Sequence, residues 1–230
     1  MGHFDVATAL VTTLLRGGLG LRVGEVGPRP EQPVILYEFE GCPFCRKARE
    51  ALSILDLEAD IRPCPKRGHR FRDELIERGG KAQFPYLIDP NKGVEMYEST
   101  DIVDYLFAEY GRGEAPFALG GSAPATLAVV ASGVGRGSAG AFVRPSKAPD
   151  QPLELYSFEA SPFCRLVRER LCELELPYRL HNVARGSAAR EAFVERSGKM
   201  QVPYLVDPNT GVEMFESADI VAYLDATYGA

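Results

Sequence analysis

The sequence predicts an α/β protein in which one unit, ordered βαβ–α–ββα, occurs twice. Three observations carry this. Short apolar runs with strand character alternate with stretches of helical spacing. The stretch Glu40-Gly41-Cys42-Pro43-Phe44-Cys45-Arg46-Lys47 returns as Glu159-Ala160-Ser161-Pro162-Phe163-Cys164-Arg165, with Ser161 where Cys42 stood. From Glu77 to Gly111, about 25 of 35 positions are identical in the second copy, which marks an internal duplication.

Residues 1–32 form a leading segment. Phe4, Ala7, Leu10, Val11, Leu14 and Leu15 fall on one helical stripe, stopped by Gly17-Gly18. Such a helix docks on the protein's own body, joins two copies or lies on a membrane surface. A Gly/Pro-rich connection follows. The first copy spans 33–112. Val34 to Phe39 reads as a buried strand, and Phe44, Ala48, Leu52 and Leu55 form one helix stripe. Glu58 to Arg62 reads as a strand, and Arg70 to Arg78 as a helix closed by Gly79-Gly80. Phe84 to Pro90 and Val94 to Tyr97 are strands about an Asn-Lys-Gly turn, and Ser99 caps a final helix. Residues 113–151, rich in Gly, Ala, Ser and Pro, read as a linker with a short helix near Ala125–Val130. The second copy spans 152–230, with Phe163, Val167, Leu171 and Leu174 as its first helix stripe. The copies differ by one residue of register near Pro63-Cys64-Pro65.

The 230 residues carry a formal charge of −6, which argues against a general nucleic-acid partner. Five cysteines are too few for a disulfide scaffold and suit a reducing, cytoplasmic compartment. No run reaches a membrane span, and the N-terminus lacks the basic stretch of a signal peptide. No second Cys or His pair completes a zinc set, so no metal is expected.

Two cysteines three apart at a strand-to-helix junction are a redox device more often than a structural one. Cys42 falls at the helix N-cap, with Pro43 at the first helical position. Unpaired N–H groups and the positive end of the helix dipole face its sulfur and favour the nucleophilic thiolate. Cys45, one turn on, can close a disulfide and release a trapped partner. Cys64, Cys164 and Cys172 read mainly as packed thiols.

CPFC after a strand, a Pro before another strand and Glu-Ser at a helix start, in that order and twice, resemble the glutaredoxins and the thioredoxin-fold N-terminal domain of glutathione S-transferases. CPFC also resembles the type 2 prostaglandin E synthases. The resemblance implies two tandem thioredoxin-like domains and a glutathione site in each. Pro85 and Pro203 match a cis-proline that turns the backbone of Phe84 and Val202 toward the cysteinyl part of glutathione. Ser99 and Ser217 match the residue holding the γ-glutamyl carboxylate, and Glu98 and Glu216 its partner for the amine. Gln83 and Gln201 match positions near the peptide body. Arg46 and Arg165 stand where they add positive potential near the sulfur. Each serine could instead be only an N-cap.

The copies differ in chemistry. Ser161 forms no disulfide, but its hydroxyl can donate to a bound glutathione thiolate, as in serine-type transferases; otherwise it is only an N-cap before Pro162. No all-helical domain of the transferase kind follows either copy in this sequence. Three functions therefore stay open. One is a glutathione-dependent thiol–disulfide oxidoreductase with Cys42 as nucleophile and Cys45 as resolving thiol. The second is an unusual transferase that activates glutathione through Ser161 or Cys42 toward an electrophilic second substrate. The third is a non-catalytic tandem binding module. A homodimer is compatible with each.

Overall fold

A computed structural model describes residues 3–134 and 136–230. Its elements are α1 (His3–Leu15), β1 (Val34–Glu38), α2 (Pro43–Ile54), β2 (Ala59–Pro63), α3 (Arg72–Gly79), β3 (Tyr86–Asp89), β4 (Val94–Met96) and α4 (Ser99–Tyr110). After a 3-10 turn at Phe117–Leu119 come α5 (Ala123–Val134), β5 (Leu153–Ser157), α6 (Pro162–Glu173), β6 (Tyr178–Asn182), α7 (Arg190–Ser197), β7 (Tyr204–Asp207), β8 (Val212–Phe215) and α8 (Ser217–Tyr228). Each copy has the order read from the sequence.

The two copies share one eight-stranded sheet, ordered β4-β3-β1-β2-β6-β5-β7-β8. Within a copy the first two strands run parallel and the rest antiparallel. The join is β2 against β6, antiparallel, with Asp60 opposite Arg179. Asp60 accepts two hydrogen bonds from that guanidinium, at 2.8 and 3.0 Å. The main core runs unbroken across both copies, from Leu36, Leu52 and Leu106 to Leu155, Leu171 and Leu224.

Over the join, α2 and α6 bury a network of ions. Glu40 and Glu159, each two residues before its Cys42 or Ser161 motif, cross to the other copy. Arg168 donates to Glu40 at 3.1 and 3.2 Å, and Arg49 to Glu159 at 3.1 Å. Arg49 also reaches Glu38, and Arg168 lies 2.9 Å from Glu159. These side chains are at most 2% exposed. Arg16–Glu50 and Arg136–Glu169, each at 2.6 Å, extend the network at equivalent positions.

The leading helix docks on the body, yet not by the face its spacing suggests. Leu10, Val11, Leu14 and Leu15 are exposed, Leu14 by 68%, whereas Ala9, Thr12 and Thr13 are buried. The side chain of Phe4 lies outside the described residues. Small side chains let α1 approach α6 and α5 closely. The threonine hydroxyls find acceptors in the Ala9 carbonyl and, across the copies, in that of Ala160. Residues 113–151 hold a full helix rather than a short one, and α5 packs on α2 as α1 packs on α6. Arm for arm, each leading segment covers the other copy: Arg22 bridges to Arg185, and Phe142 to Lys66. On the first helix stripes Ala48, Leu52, Leu55, Val167, Leu171 and Leu174 are buried. Phe44 and Phe163, expected on the same stripes, are 40% and 47% exposed. They sit in the first turn, at the sheet's end and beyond its core.

Removing one member of a buried ion set leaves its partners charged and unpaired. We expect Arg168→Leu to cost about 3–5 kcal/mol in urea unfolding. With one sheet and one core, the loss should shift a single transition rather than split it in two.

Candidate functional site

Cys42 caps α2 with extended backbone, and its sulfur accepts from the Cys45 N–H at 3.3 Å, with Pro43 next. Cys42 is 6% exposed and Cys45 fully buried. Their thiols shift in opposite directions. A hydrogen bond from the Cys45 side chain holds the Cys42 thiol below its ordinary value. The N–H groups of Cys45 and Phe44 add to this and together they outweigh burial. Burial pushes Cys45 well above its ordinary value, and the Cys42 sulfur and Glu38 push it further.

In the second copy Ser161 has the same place. Its hydroxyl oxygen accepts from the Cys164 N–H at 3.2 Å. Cys164 is fully buried and raised by that burial. Cys64 and Cys172 are likewise buried and raised. Cys172 accepts from the Glu40 N–H at 3.4 Å, as Ser53 accepts from the Glu159 N–H at 3.0 Å. These two side chains hold the loop before the opposite motif.

The bonds before Pro85 and Pro203 are cis, as the resemblance implies. The Phe84 ring meets Phe39 edge-on at 5.9 Å, and the Arg72 guanidinium lies over both rings. This ties the proline loop to the loop that leads into Cys42. Gln83 donates to Glu98, and Gln201 to Glu216. Ser99 and Ser217 are not N-caps but the first helical residues. Glu98 and Glu216 hold the cap positions with φ of +68° and +67° and no side-chain capping bond. A non-glycine residue at positive φ is uncommon, and such conformations cluster at ligand sites. Each copy thus offers an exposed carboxylate and uncapped N–H groups at one helix start.

Arg46 and Arg165 do not turn toward the sulfur positions. They are buried in ion pairs with Glu50 and Glu159, and with Glu169 and Glu40. Their positive charge is spent in the join between copies.

Sequence reasoning missed Glu38. It ends β1, is 1% exposed, and its carboxyl is pushed up to about 7, first by burial and then by Glu40 and Glu159 against the pull of Arg49. A carboxylate inside an otherwise apolar strand was the available signal. Its counterpart is Ser157, where Arg168 donates to the hydroxyl at 3.3 Å. The arms over the motifs were also unread: the Gly41 N–H donates to the Gly140 carbonyl at 3.1 Å. A Cβ on Gly41 would lie 2.9 Å from that of Ala141, so the arm requires glycine there.

The family model described as glutathione S-transferase, N-terminal domain, matches residues 36–116 and again 155–230. The chain belongs to the glutathione S-transferase N-terminal domain family. The glutathione S-transferase-like protein OpS6 of Beauveria bassiana is 33% identical over 78 residues. That match covers 34% of this chain and 36% of OpS6, so the chain spans about a third of that relative's length. Among solved structures, a trimeric glutathione transferase, Leishmania TDR1, aligns at 13% identity over 86% of this chain and 68% of that one, with a TM-score of 0.33. No helix among the described residues is long and apolar enough to cross a membrane.

Two outcomes follow for the family member described here. In timed alkylation with mass spectrometry, Cys42 should react first of the five thiols, and its rate should persist below the pH at which a free thiol loses reactivity. Glu38 and Glu159 should shape stability oppositely. Burial opposes ionisation of Glu159, but Arg168, Arg49 and Arg46 outweigh it and hold it at about 2. Between pH 2 and 4.5 the unfolded chain binds this proton and the folded chain does not, so stability rises with pH. Between 4.5 and 7 folded Glu38 keeps a proton the unfolded chain has lost, so its contribution falls as pH rises. Glu38→Gln should flatten that upper limb in chemical unfolding measured across pH.

Proposed function

We propose that this chain is a glutathione-dependent thiol–disulfide oxidoreductase, with Cys42 as nucleophile and Cys45 as resolving thiol. The observation that supports it is the opposed shift of two neighbouring thiols at one helix start. A depressed thiol attacks, and a raised one keeps its proton until needed.

The Cys42 thiolate attacks one sulfur of a glutathionylated or protein disulfide. That S–S bond breaks, Cys42 enters a mixed disulfide, and the displaced thiolate takes a proton from water. Cys45 then attacks the Cys42 sulfur, and its proton passes to the departing thiolate. A Cys42–Cys45 bond forms and the second thiolate leaves. The pair has lost two electrons; two glutathione thiols return it to the dithiol and leave as one disulfide. The residues present fit glutathione: Glu98 and the N–H groups at Ser99 for its γ-glutamyl end, Gln83 beside them, and the Phe84 backbone before Pro85 for its cysteinyl part. A chemistry that draws on a glutathione pool suits a cytoplasmic, reducing compartment.

A specific observation favours a second activity in the second copy. The Ser161 oxygen accepts from the Cys164 N–H, and its O–H, which reaches the buried Cys164 thiol, can turn to donate to a bound sulfur instead. A glutathione thiolate held by Gln201, Glu216, Ser217 and the Val202–Pro203 loop would receive that proton's hydrogen bond. Its thiol would ionise more readily, for transfer to an electrophile.

In a reductase assay on a glutathionylated peptide, Cys42→Ser should lose at least about a hundredfold. Cys45→Ser should keep that reaction and lose reduction of protein disulfides. Conjugation of a model electrophile should fall about tenfold in Ser161→Ala and persist in Cys42→Ala. Full reductase activity in Cys42→Ser would refute the first reading.

A further inference from the structure

The leading helix and its counterpart leave one face of the molecule apolar. Leu10, Val11, Leu14 and Leu15 turn outward on α1, and Leu127 and Val130 on α5. Leu14 and Leu127 are 68% and 71% exposed. Each set is spaced three and four apart and makes one stripe. The stripes lie side by side, because α1 packs on α5 while their inner faces pack on α6 and α2. Neither helix falls within the segments 36–116 and 155–230 that match the family, so this face is an addition to the family's unit.

Area, charge and symmetry together name what covers it. The six side chains expose on the order of 600 Å², the upper end of what the largest patch on a monomer shows. Set against its equal, the face would bury about 1,200 Å² in all, which reaches the range of specific interfaces and exceeds that of packing contacts. The face is also uncharged. Asp5 is the one fully charged residue on either helix, and Arg136 lies 3.4 Å from it. Helices that lie on bilayers set Lys and Arg beside their apolar stripe. Here the flanking Arg16 and Arg136 are buried in ion pairs with Glu50 and Glu169, and the chain carries a net charge of −6. Finally, α1 and α5 are related by the same pseudo-two-fold that sets β2 against β6. A face that repeats itself about such an axis can meet a second copy in a closed, isologous pair, the commonest form of soluble oligomer.

We propose that the face formed by α1 and α5 joins two copies of this chain into a two-fold dimer, with Leu10, Leu14 and Leu127 among its buried anchors. The duplication thereby works at two levels. Inside the chain it closes a sheet edge, and outside it presents two equivalent helices to a partner of the same kind. This surface is independent of the chemistry at Cys42.

The test is sedimentation velocity on the full chain over a range of concentrations. The chain should run at twice its 25.2 kDa, and high salt should not dissociate it, since no ion pair holds the two copies together. Leu14→Glu and Leu127→Glu alter side chains that are exposed in the single chain, so circular dichroism should stay unchanged. Each should raise the dimer dissociation constant at least about a hundredfold, because the two-fold buries every new carboxylate twice. Ile76→Glu serves as the control. Ile76 is 44% exposed on α3, which packs with Tyr37 and Tyr86 on the opposite face of the sheet, so the dimer should persist. The proposal is overturned if the chain stays monomeric up to about 0.1 mM. It is overturned equally if either Leu14→Glu or Leu127→Glu leaves the affinity intact, or if Ile76→Glu weakens it as much. Flotation of a monomeric chain with phosphatidylcholine vesicles, abolished by Leu14→Glu, would assign the face to a bilayer and overturn it too.

Discussion

An unpaired β-edge is the constraint on which this architecture rests. In a unit ordered β4-β3-β1-β2, strand β2 ends the sheet with a row of free N–H and C=O groups. Such edges invite pairing with other chains and need covering. Here the two units cover each other, β2 against β6. The pseudo-two-fold relation puts equivalent positions face to face, so an exact duplicate would set like charges opposite each other. Divergence to Asp60 and Arg179 turns that contact into an attractive cross-strand pair.

Joining the edges brings α2 and α6 together on one face. Helices so close to a two-fold axis bury whatever they carry, and both carry Arg-x-x-Arg-Glu. Four arginines in that space require counter-charges. The strand ends supply them through Glu38, Glu40 and Glu159, and the helices add Glu50 and Glu169. A buried ion set of this kind adds little net stability over an apolar core, since desolvation offsets most of the attraction. Its consequence lies in register. Glu40 meets Arg168, and Glu159 meets Arg49, only when each motif loop sits against the opposite helix. The loop that presents Cys42 is thus positioned by residues of the other copy, and so is the loop of Ser161.

The order of elements within each copy was legible because every element there buries its own stripe against its own sheet. The cap at Cys42 was legible too, since Pro43 and the cysteine spacing leave one start for the helix. What periodicity could not reveal depends on the partner copy. The α1 leucines form the stripe a lone helix would bury, yet α1 packs through Ala9, Thr12 and Thr13, because α6 and α5 demand close approach. Phe44 follows the stripe of α2 but lies beyond the sheet that would cover it. Ser99 looked like a cap because serine is a good one, while the neighbouring Glu98 takes that position at a positive φ its side chain does not favour. Arg46 and Arg165 stood near the sulfur in sequence but bond the carboxylates one turn on, Glu50 and Glu169, with Glu159 and Glu40 of the opposite copy beside them.

The two copies depart from one another in a linked way. Where the motif keeps a cysteine pair, the strand beneath ends in Glu38; where it has Ser161, the strand ends in Ser157. Both serve as partner to an arginine of the helix above, so either satisfies the network. They differ in charge. The Glu38 charge pushes the Cys45 thiol further up, whereas the Ser157 hydroxyl pulls that of Cys164 down by a hydrogen bond. One framework, held by a single ion network, thus carries a cysteine at one helix start and a serine at the equivalent one.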